Sequence, residues 1–445
     1  MPSVRIQPLN SIRREIFLPG DKSIAHRSIF ISAIAKGKTG ISNFPASNDC
    51  LKTLAAFRKL GVKISVNNSG ASLKLGVEGR GLKGLRQPNI SIFSGESGTT
   101  FRLLLGFLAG QRFRSVLTAG KTLRRRPMRR VCVPLRKMGA VIKAQQAGEE
   151  YPPVTINGRN LRAINYKMPV ASAQVKSALL FAGLYAKGVT RIREPIKTRD
   201  HTERMLEYFG TKIKVKNKVI SLSGGNELIS PGRIDIPGDI SSASFFIAAA
   251  ILLRGSRLVI RSLGLNPGRR GIIRVLKRMG AEIKIVPRKF FACGSEPVGD
   301  IIVKTSRLKG TKISRQEVPQ LIDELPILML VACYAKGATV IEGAGELRFK
   351  ETDRIASMES NLKKMGADIR ISIPDARTGK TREKIIIQGV GRLRGARVRS
   401  FADHRTAMSM VVAAAVSHGP TFIDDLTCID KSFPDFLKFF DNKIR

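Results

Sequence analysis

Apolar and polar positions along this chain switch between two periods, and the switch recurs six times. Each round opens with an apolar run that ends at a glycine: Gly37, Gly110, Gly188, Gly255, Gly337 or Gly419. A short period-two segment follows, then a helix-period stretch, a second glycine and another period-two segment. The second glycines are Gly61, Gly139, Gly210, Gly280 and Gly366, with Asp441-Asn442 in the sixth place. Around them the text nearly repeats itself, as FRKLGVKISV, LRKMGAVIKA, LEYFGTKIKV, LKRMGAEIKI, LKKMGADIRI and FFDNKIR. Glycine suits the left-handed position just past a helix, and an alternating segment after it reads as a strand. The pattern therefore predicts six helix–strand–helix–strand blocks, each too small to bury its apolar faces alone.

A second periodicity lies above the first. Ile16–Ala25 reads IFLPGDKSIA and Ile234–Ala243 reads IDIPGDISSA, and both precede an apolar helix. This predicts a duplication into two similar domains of three blocks: residues 21–237, and residues 1–20 with 238–445, with crossovers near Gly20 and Gly238. A chain of 445 residues suits two cores better than one. Its longest apolar stretch, Phe245–Leu253, is far shorter than the ~18 residues of a membrane span. MPSVRIQPLNSIRREI has no apolar signal core, so the expectation is a cytoplasmic protein without a membrane partner.

Charge changes the picture. Lysine and arginine number 78 against 34 acidic residues, a formal net charge of +44. Such an excess attracts nucleic acid, acidic membranes or phosphorylated metabolites. The cations are spread through all six repeats rather than gathered in a tail, tryptophan is absent and tyrosines number five, so no base-stacking platform is indicated. The charge alone predicts no more than a non-specific, salt-sensitive nucleic-acid affinity. The five cysteines (Cys50, Cys132, Cys293, Cys333 and Cys428) form no CxxC pair, and they read as reduced, packed thiols with no zinc site.

Candidate chemistry gathers at equivalent points of the repeat. The six apolar helices open with PGDKSIAHR, SGESGTTFR, PVASAQVKS, PGDISSASF, VPQLIDELP and FADHRTAMS. Free N–H groups and the helix dipole favour anions there, although Ser, Thr and Asp are also ordinary N-caps. Capping is the expectation for Ser241 and Ser242. Anion binding is the expectation for Lys22, Ser23 and Arg27, a dense set of donors. The loops LRRRPM, TRDHTERM, NPGRRG, FKETDR and DKSFPDF add cations at the other helix of each block. These positions point to a two-domain α/β enzyme for phosphorylated or carboxylated anions. Cation-bearing loops in both halves predict that anions draw the halves together.

Nine motifs make that reading specific: PGDKSIAHR, SGTTFR, RRPM, ASAQVKSALLFAG, TRDHTERML, LIDELP, KETDR, ADHRTAMS and KSFPDF, in order from residue 19 to residue 436. In these the chain resembles the 5-enolpyruvylshikimate-3-phosphate synthase family. The resemblance implies two similar domains of three βαβαββ repeats each, the inside-out α/β barrel of the enolpyruvyl transferases. It implies transfer of the enolpyruvyl group of phosphoenolpyruvate to the 5-hydroxyl of shikimate 3-phosphate, with release of phosphate, in aromatic amino acid biosynthesis. It further implies no metal or organic cofactor, the two small-molecule substrates as partners, and a monomer.

By the same resemblance Lys22, Gly98, Arg126, Gln174, Arg354, Arg405 and Lys431 meet phosphoenolpyruvate. Lys22, Ser23, Arg27, Ser172, Ala173, Gln174, Arg199, Asp323 and Lys350 meet shikimate 3-phosphate. Asp323 is the expected base at the hydroxyl, and Glu351 with Lys22 the expected acid side. Asp323 is also a candidate N-cap for a helix beginning at Leu325, and His26, His201 and His404 read as positioning or packing groups.

The chain departs from the family pattern at Glu96, where an asparagine is usual, and at Ala25 in place of a serine. A carboxylate beside an anion pocket is unfavourable, so Glu96 is expected to pair with an arginine or to point away. Gly98 is expected to let phosphoenolpyruvate approach closely, so that an alanine there crowds a longer mimic such as glyphosate. The related transferase acting on UDP-N-acetylglucosamine carries a loop cysteine before its Arg-Pro segment, whereas this chain has AGKTLRRRPM, with Cys132 later in a helix pattern. An RNA-binding or RNA-processing protein lacks support, because no GxxxxGK[ST] loop is present.

Overall fold

The structure, a computed structural model, describes residues 3–69, 72–145, 148–288, 296–372 and 383–440. Asp441-Asn442, the end of FFDNKIR, and Cys293 lie outside the described residues. The chain divides into two compact α/β units, one of Pro19–Pro237 with Glu296, the other of the residues up to Leu18 and those from Gly238 onward.

In the first unit the helices are α1 (Lys22–Ile34), α2 (Asn48–Lys59), α3 (Gly98–Ala109), α4 (Arg129–Lys137), α5 (Ala173–Gly183) and α6 (His201–Tyr208). Three four-stranded sheets accompany them. One runs Arg233–Asp235, Lys38–Pro45, Ser72–Glu78, Ile64–Ser69; the next Ile92–Phe93, Arg114–Thr118, Tyr151–Asn157, Val141–Gln145. The third runs Asn165–Lys167, Val189–Arg193, Val219–Ser223, Ile213–Lys216. In each the first pair is parallel and the other two antiparallel.

The first helix of each repeat is apolar on nearly every side and is correspondingly buried, as α1, α3 and α5 show. The second helix is amphipathic and keeps one wet face. The helices meet at an aromatic cluster, where the Phe30 ring of α1 lies 4.8 Å from Phe57 of α2, 5.4 Å from Phe107 of α3 and 5.2 Å from Phe181 of α5. Burying such a ring contributes about 1.5–3 kcal/mol, and each well-placed pair about 0.5–1.5 kcal/mol more.

The second unit holds α7 (Ile240–Leu252), α8 (Gly271–Arg278), α9 (Leu325–Cys333), α10 (Arg354–Lys364) and α11 (His404–Val416). Two sheets repeat the same order, Arg13–Phe17, Arg257–Gly264, Val298–Lys304, Ile283–Pro287 and then Lys312–Ile313, Ala338–Glu342, Lys384–Gln388, Asp368–Ser372. The sixth block differs. Thr421–Ile423 pairs parallel with Arg397–Val398 and antiparallel with Val4–Ile6, which comes from the start of the chain. Its second helix is replaced by the 3₁₀ turns Thr427–Lys431 and Phe436–Phe439, whose Phe436 ring packs 5.7 Å from Phe245.

The glycines after the second helices all have positive φ, from +85° at Gly61 to +103° at Gly139. Gly110 departs from the expectation. Its φ is −91°, and a Cβ there would lie 2.3 Å from the Tyr185 ring, so close packing rather than a left-handed backbone demands glycine.

Candidate active site

In the first unit most of the predicted residues stand at the N-termini of α1, α3 and α5, with Arg126 after the 3₁₀ turn Leu123–Arg125 and Arg199 in the loop before α6. Asp21 caps α1 by accepting from the Ile24 N–H, and Lys22, next in line, sends its Nζ to Asp49 Oδ2 at 2.8 Å. Ser23 Oγ accepts from Arg199 Nη1 at 3.0 Å. Arg27 is only 2 % exposed; its Nε donates to Thr202 Oγ1 (2.6 Å), Nη2 to Ser177 Oγ (2.7 Å) and Nη1 to the Ser23 carbonyl (2.8 Å). It braces α1 against α5 and α6, and orients Ser23 as it does so. His26 is wholly buried and bonds Thr53 Oγ1 through Nδ1 at 2.7 Å. Burial, then the charges of Lys22 and Arg27, push it well below the ordinary histidine value of 6.5, so it is neutral.

Ser97 caps α3, and Gly98 is its first residue. A Cβ at Gly98 would lie 2.9 Å from Arg102 Nη1 and 3.2 Å from Arg126 Nη1, so two guanidinium groups crowd this helix end. Ser172 caps α5, followed by Ala173 and Gln174. Gln174 spans the two helices, accepting from Arg102 Nη1 at 2.8 Å and donating to Thr99 Oγ1 at 3.0 Å. Lys22, Ser23, Gly98, Ser172 and Gln174 thus stand at helix N-termini, with Arg126 beside Gly98 and Arg199 bonded to Ser23.

Of the two expectations for Glu96, pairing with an arginine is not met. Its Oε2 accepts from the Leu123 N–H at 2.8 Å and its Oε1 from the Thr122 N–H at 3.3 Å. Rather than pairing with an arginine, the carboxylate caps the 3₁₀ turn Leu123–Arg125 that presents Arg126.

The second unit carries the remaining residues. Arg354 opens α10 at 2 % exposure, and its Nε meets Asp403 Oδ2 at 2.9 Å, its Nη2 Glu351 Oε2 at 2.6 Å and its Nη1 Asp323 Oδ1 at 3.8 Å. Burial opposes its charge, but Asp403, Glu351 and Asp323 more than offset this, so the guanidinium holds its proton more firmly than usual. Asp323 also faces Arg269 Nη1 at 3.6 Å. It does not cap α9. Glu324 occupies the cap position without a side-chain cap bond, because its carboxyl turns inward to accept from Ser241 Oγ. Burial holds the Glu324 carboxyl above the ordinary glutamate value, with the Asp323 charge adding and Arg269 and Arg405 opposing.

Ser241 and Ser242 are likewise not the caps of α7. Asp239 is, accepting from the Ser241 N–H at 2.7 Å, while Ser241 Oγ takes Arg269 Nη2 at 2.7 Å. Asp353 caps α10.

Asp403 has two tasks. Its Oδ1 caps α11 through the N–H groups of Arg405 (2.7 Å) and Thr406 (3.1 Å), while Oδ2 serves Arg354. The two residues before it, Phe401 and Ala402, both have φ near +54° (54° and 53°), a conformation costing about 1–3 kcal/mol each outside glycine. Lys431 Nζ donates to the Ala402 carbonyl at 3.1 Å across this turn. Arg405 follows, 6 % exposed, its guanidinium 5.9 Å from the Phe245 ring. Its Nε and Nη1 find no hydrogen-bond partner among the described residues. Lys350 ends the 3₁₀ turn Gly345–Phe349 beside Glu351, half-buried.

Sequence reasoning passed over Asp49, Arg102, Arg269, Glu324 and Asp403. SGTTFR, NPGRRG, LIDELP and ADHR contain four of these positions, but a carboxylate or guanidinium partner far away in the chain leaves no local signal. Among the described residues, no group of three His, Cys, Asp or Glu side chains is placed to hold a metal.

Within each unit cations gather at or beside capped helix ends, and in the second unit carboxylates stand next to them while two Arg405 guanidinium nitrogens lack a hydrogen-bond partner among the described residues, groups suited to small anions and to proton exchange. Known proteins share the whole framework. The family model for EPSP synthase (3-phosphoshikimate 1-carboxyvinyltransferase) matches residues 6–440. The 3-phosphoshikimate 1-carboxyvinyltransferase of Geobacter sulfurreducens is 47% identical over 442 residues, covering 99% of both chains. That of Bacillus licheniformis is 46% identical, covering 97% of both. The solved EPSP synthase of Acinetobacter baumannii superposes with a TM-score of 0.86 at 40% identity, covering 100% of this chain and 99% of the other. With relatives matched from end to end and the helix-end cations in place, the chain belongs to the EPSP synthase family.

Proposed function

We propose that this protein transfers the enolpyruvyl group of phosphoenolpyruvate to the 5-hydroxyl of shikimate 3-phosphate and releases phosphate. Arg405 carries the reading. A buried guanidinium with two nitrogens unmet by any acceptor among the described residues is suited to an anion from outside the chain. In this family that anion is phosphoenolpyruvate, which Lys22, Gly98, Arg126, Gln174, Arg354 and Lys431 are proposed to meet as well. Ser23, Arg27, Ser172, Ala173, Gln174 and Arg199, with Lys22, are assigned to shikimate 3-phosphate, and Asp323 and Lys350 to its ring hydroxyls.

In the proposed course, Asp323 takes the hydroxyl proton as the oxygen bonds to the central carbon of phosphoenolpyruvate. Glu351 or Lys22 delivers a proton to the methylene carbon, giving a tetrahedral ketal phosphate. Elimination returns a methyl proton to the same group as the carbon–oxygen bond to phosphate breaks. Arg354 suits this by placement, since it holds the Glu351 carboxylate at 2.6 Å while its own Nη1 faces Asp323. Binding energy then goes into alignment and charge rather than into a covalent enzyme intermediate.

The two units are proposed to be a duplication, and the protein to act as a cytoplasmic monomer. Among the described residues no helix is long and apolar enough to cross a membrane. Any nucleic-acid affinity is assigned to net charge, and it should fall steeply with salt.

The test is phosphate release from purified protein given phosphoenolpyruvate with shikimate 3-phosphate, and in parallel with UDP-N-acetylglucosamine. Release with the shikimate acceptor alone, abolished in Lys22→Ala, is expected. Release with the sugar nucleotide, or with neither acceptor, overturns the proposal.

A further inference from the structure

Arg199 sits on a loop without regular structure, between the strand Val189–Arg193 and α6. One buried carboxylate shapes that loop. Glu194, 3 % exposed, accepts on a single oxygen, Oε1, both the Thr198 N–H at 3.1 Å and the Thr198 hydroxyl. The loop therefore closes on itself immediately before Arg199. The same Oε1 lies 3.2 Å from Nζ of Lys176 on α5, which is 1 % exposed and stands 2.7 Å from Glu203 Oε1 on α6. One ammonium thus ties together a core helix, the next helix and the loop between them.

The cluster has a direction. Beyond Thr198 comes Arg199, whose Nη1 donates to Ser23 Oγ; beyond Lys176 comes Ser177, which accepts from the Arg27 guanidinium that also holds the Ser23 carbonyl. Both branches converge on Ser23. Against a well-packed apolar replacement, a buried ion pair is worth little net stability, while the orientation it imposes is strict. An apolar trio would fill this space, but it would not set the Thr198 N–H and hydroxyl, and hence the exit of Arg199, at one angle.

We infer that Lys176, Glu194 and Thr198 are positioning residues that set Arg199 and Ser23 for the phosphate of the acceptor substrate. The inference rests on the proposed reaction, in which those two residues hold shikimate 3-phosphate. None of the three touches substrate in this assignment. They act through the loop.

The experiment uses Thr198→Val, which keeps the side-chain shape and the backbone bond but loses the hydroxyl bond, with Thr198→Ser as the restoring variant. Shikimate 3-phosphate binding is measured alone by titration calorimetry, and KM for each substrate and kcat at steady state. Losing one hydrogen bond to a charged group, felt partly at Arg199, is expected to raise Kd and KM for shikimate 3-phosphate about fivefold to tenfold. KM for phosphoenolpyruvate and kcat stay within about twofold, and serine restores the wild-type values. An unchanged affinity in an active Thr198→Val, with only the unfolding midpoint lowered, overturns the inference while the reaction stands. A wild-type protein that binds no shikimate 3-phosphate overturns the reaction, and the inference falls with it.

Discussion

Replacing Asp403 by asparagine separates two roles that one carboxylate fills. Asp403 is fully buried, with Oδ1 on the first N–H groups of α11 and Oδ2 on Arg354 Nε at 2.9 Å. Asparagine is as good an N-cap as aspartate, so the helix end should lose only a few tenths of a kcal/mol. The other side of the amide then turns an N–H₂ toward the Arg354 N–H, donor against donor. Breaking a buried ion pair outright costs about 3–5 kcal/mol, and one hydrogen bond to a charged group about 1.5–3 kcal/mol. Arg354 keeps Glu351 at 2.6 Å and Asp323 at 3.8 Å, so the lower range applies. We expect a loss of about 2 kcal/mol, roughly a thirtyfold change in the folded-to-unfolded ratio. Asp403→Ala should lose about 1 kcal/mol more, because the cap goes too.

Urea unfolding followed by circular dichroism, with probes for each unit because a two-domain chain need not unfold in one step, measures the first effect. KM for phosphoenolpyruvate measures the second, and it should rise severalfold as Arg354 loses its anchor. An Asp403→Asn protein within about 0.5 kcal/mol of the wild type, with KM unchanged, would show that Arg354 does not depend on this carboxylate. An alanine variant no worse than asparagine would show that Asp403 does not stabilise the α11 end.

Three further outcomes follow from the geometry. Gly98→Ala places a methyl group 2.9 Å from Arg102 Nη1 and 3.2 Å from Arg126 Nη1, both ends of flexible side chains. The fold should keep its stability within about 1 kcal/mol while KM for phosphoenolpyruvate rises and a longer mimic such as glyphosate loses more affinity than the substrate; equal losses would count against this. Glu324, held above the usual 4.5 by burial, contributes stability that is complete below that value and lost as pH rises through its folded-state pKa. Glu324→Gln should therefore gain on the wild type from pH 4.5 upward, by at most about 1.4 kcal/mol per pH unit, and a pH-independent difference in urea midpoint would contradict the assignment. Cys50, Cys333 and Cys428 are buried with thiols pushed up to about 12, and Cys132 is buried and pushed up as well. A thiol reagent should leave these four unmodified in the native protein and reach them only on unfolding; rapid native labelling of any of them would show that its burial is wrong.

Much of the architecture was legible because its causes are local. A helix-period apolar run closed by a glycine, followed by an alternating strand, carries its own instruction, and six such runs announce six blocks. Lys22 and Ser23 at α1 were legible for the same reason, since they follow the Asp21 cap and open an apolar helix. Which acidic group does what was not legible. Asp21, Asp239, Asp353 and Asp403 all precede helices and all cap them, yet nothing local says that Asp239 also receives Arg269, 30 positions on, or Asp403 Arg354, 49 positions earlier. Glu96 read as a misplaced charge until Leu123, 27 positions on, offered its N–H. Lys176 read as part of an apolar helix until α6 and its loop brought two carboxylates to it. Gly110 read as a left-handed helix end, but the Tyr185 ring is what excludes a side chain there. Periodicity reports which face of an element is buried, because that depends on neighbours three or four residues away. The partner of a buried charge is set by desolvation, which removes water as the alternative and leaves whichever distant group folding brings within about 3 Å. The repeats, the fold class and the family could be read from the chain alone; which charges bind one another, and that two Arg405 nitrogens find no hydrogen-bond partner among the described residues, came only with folding.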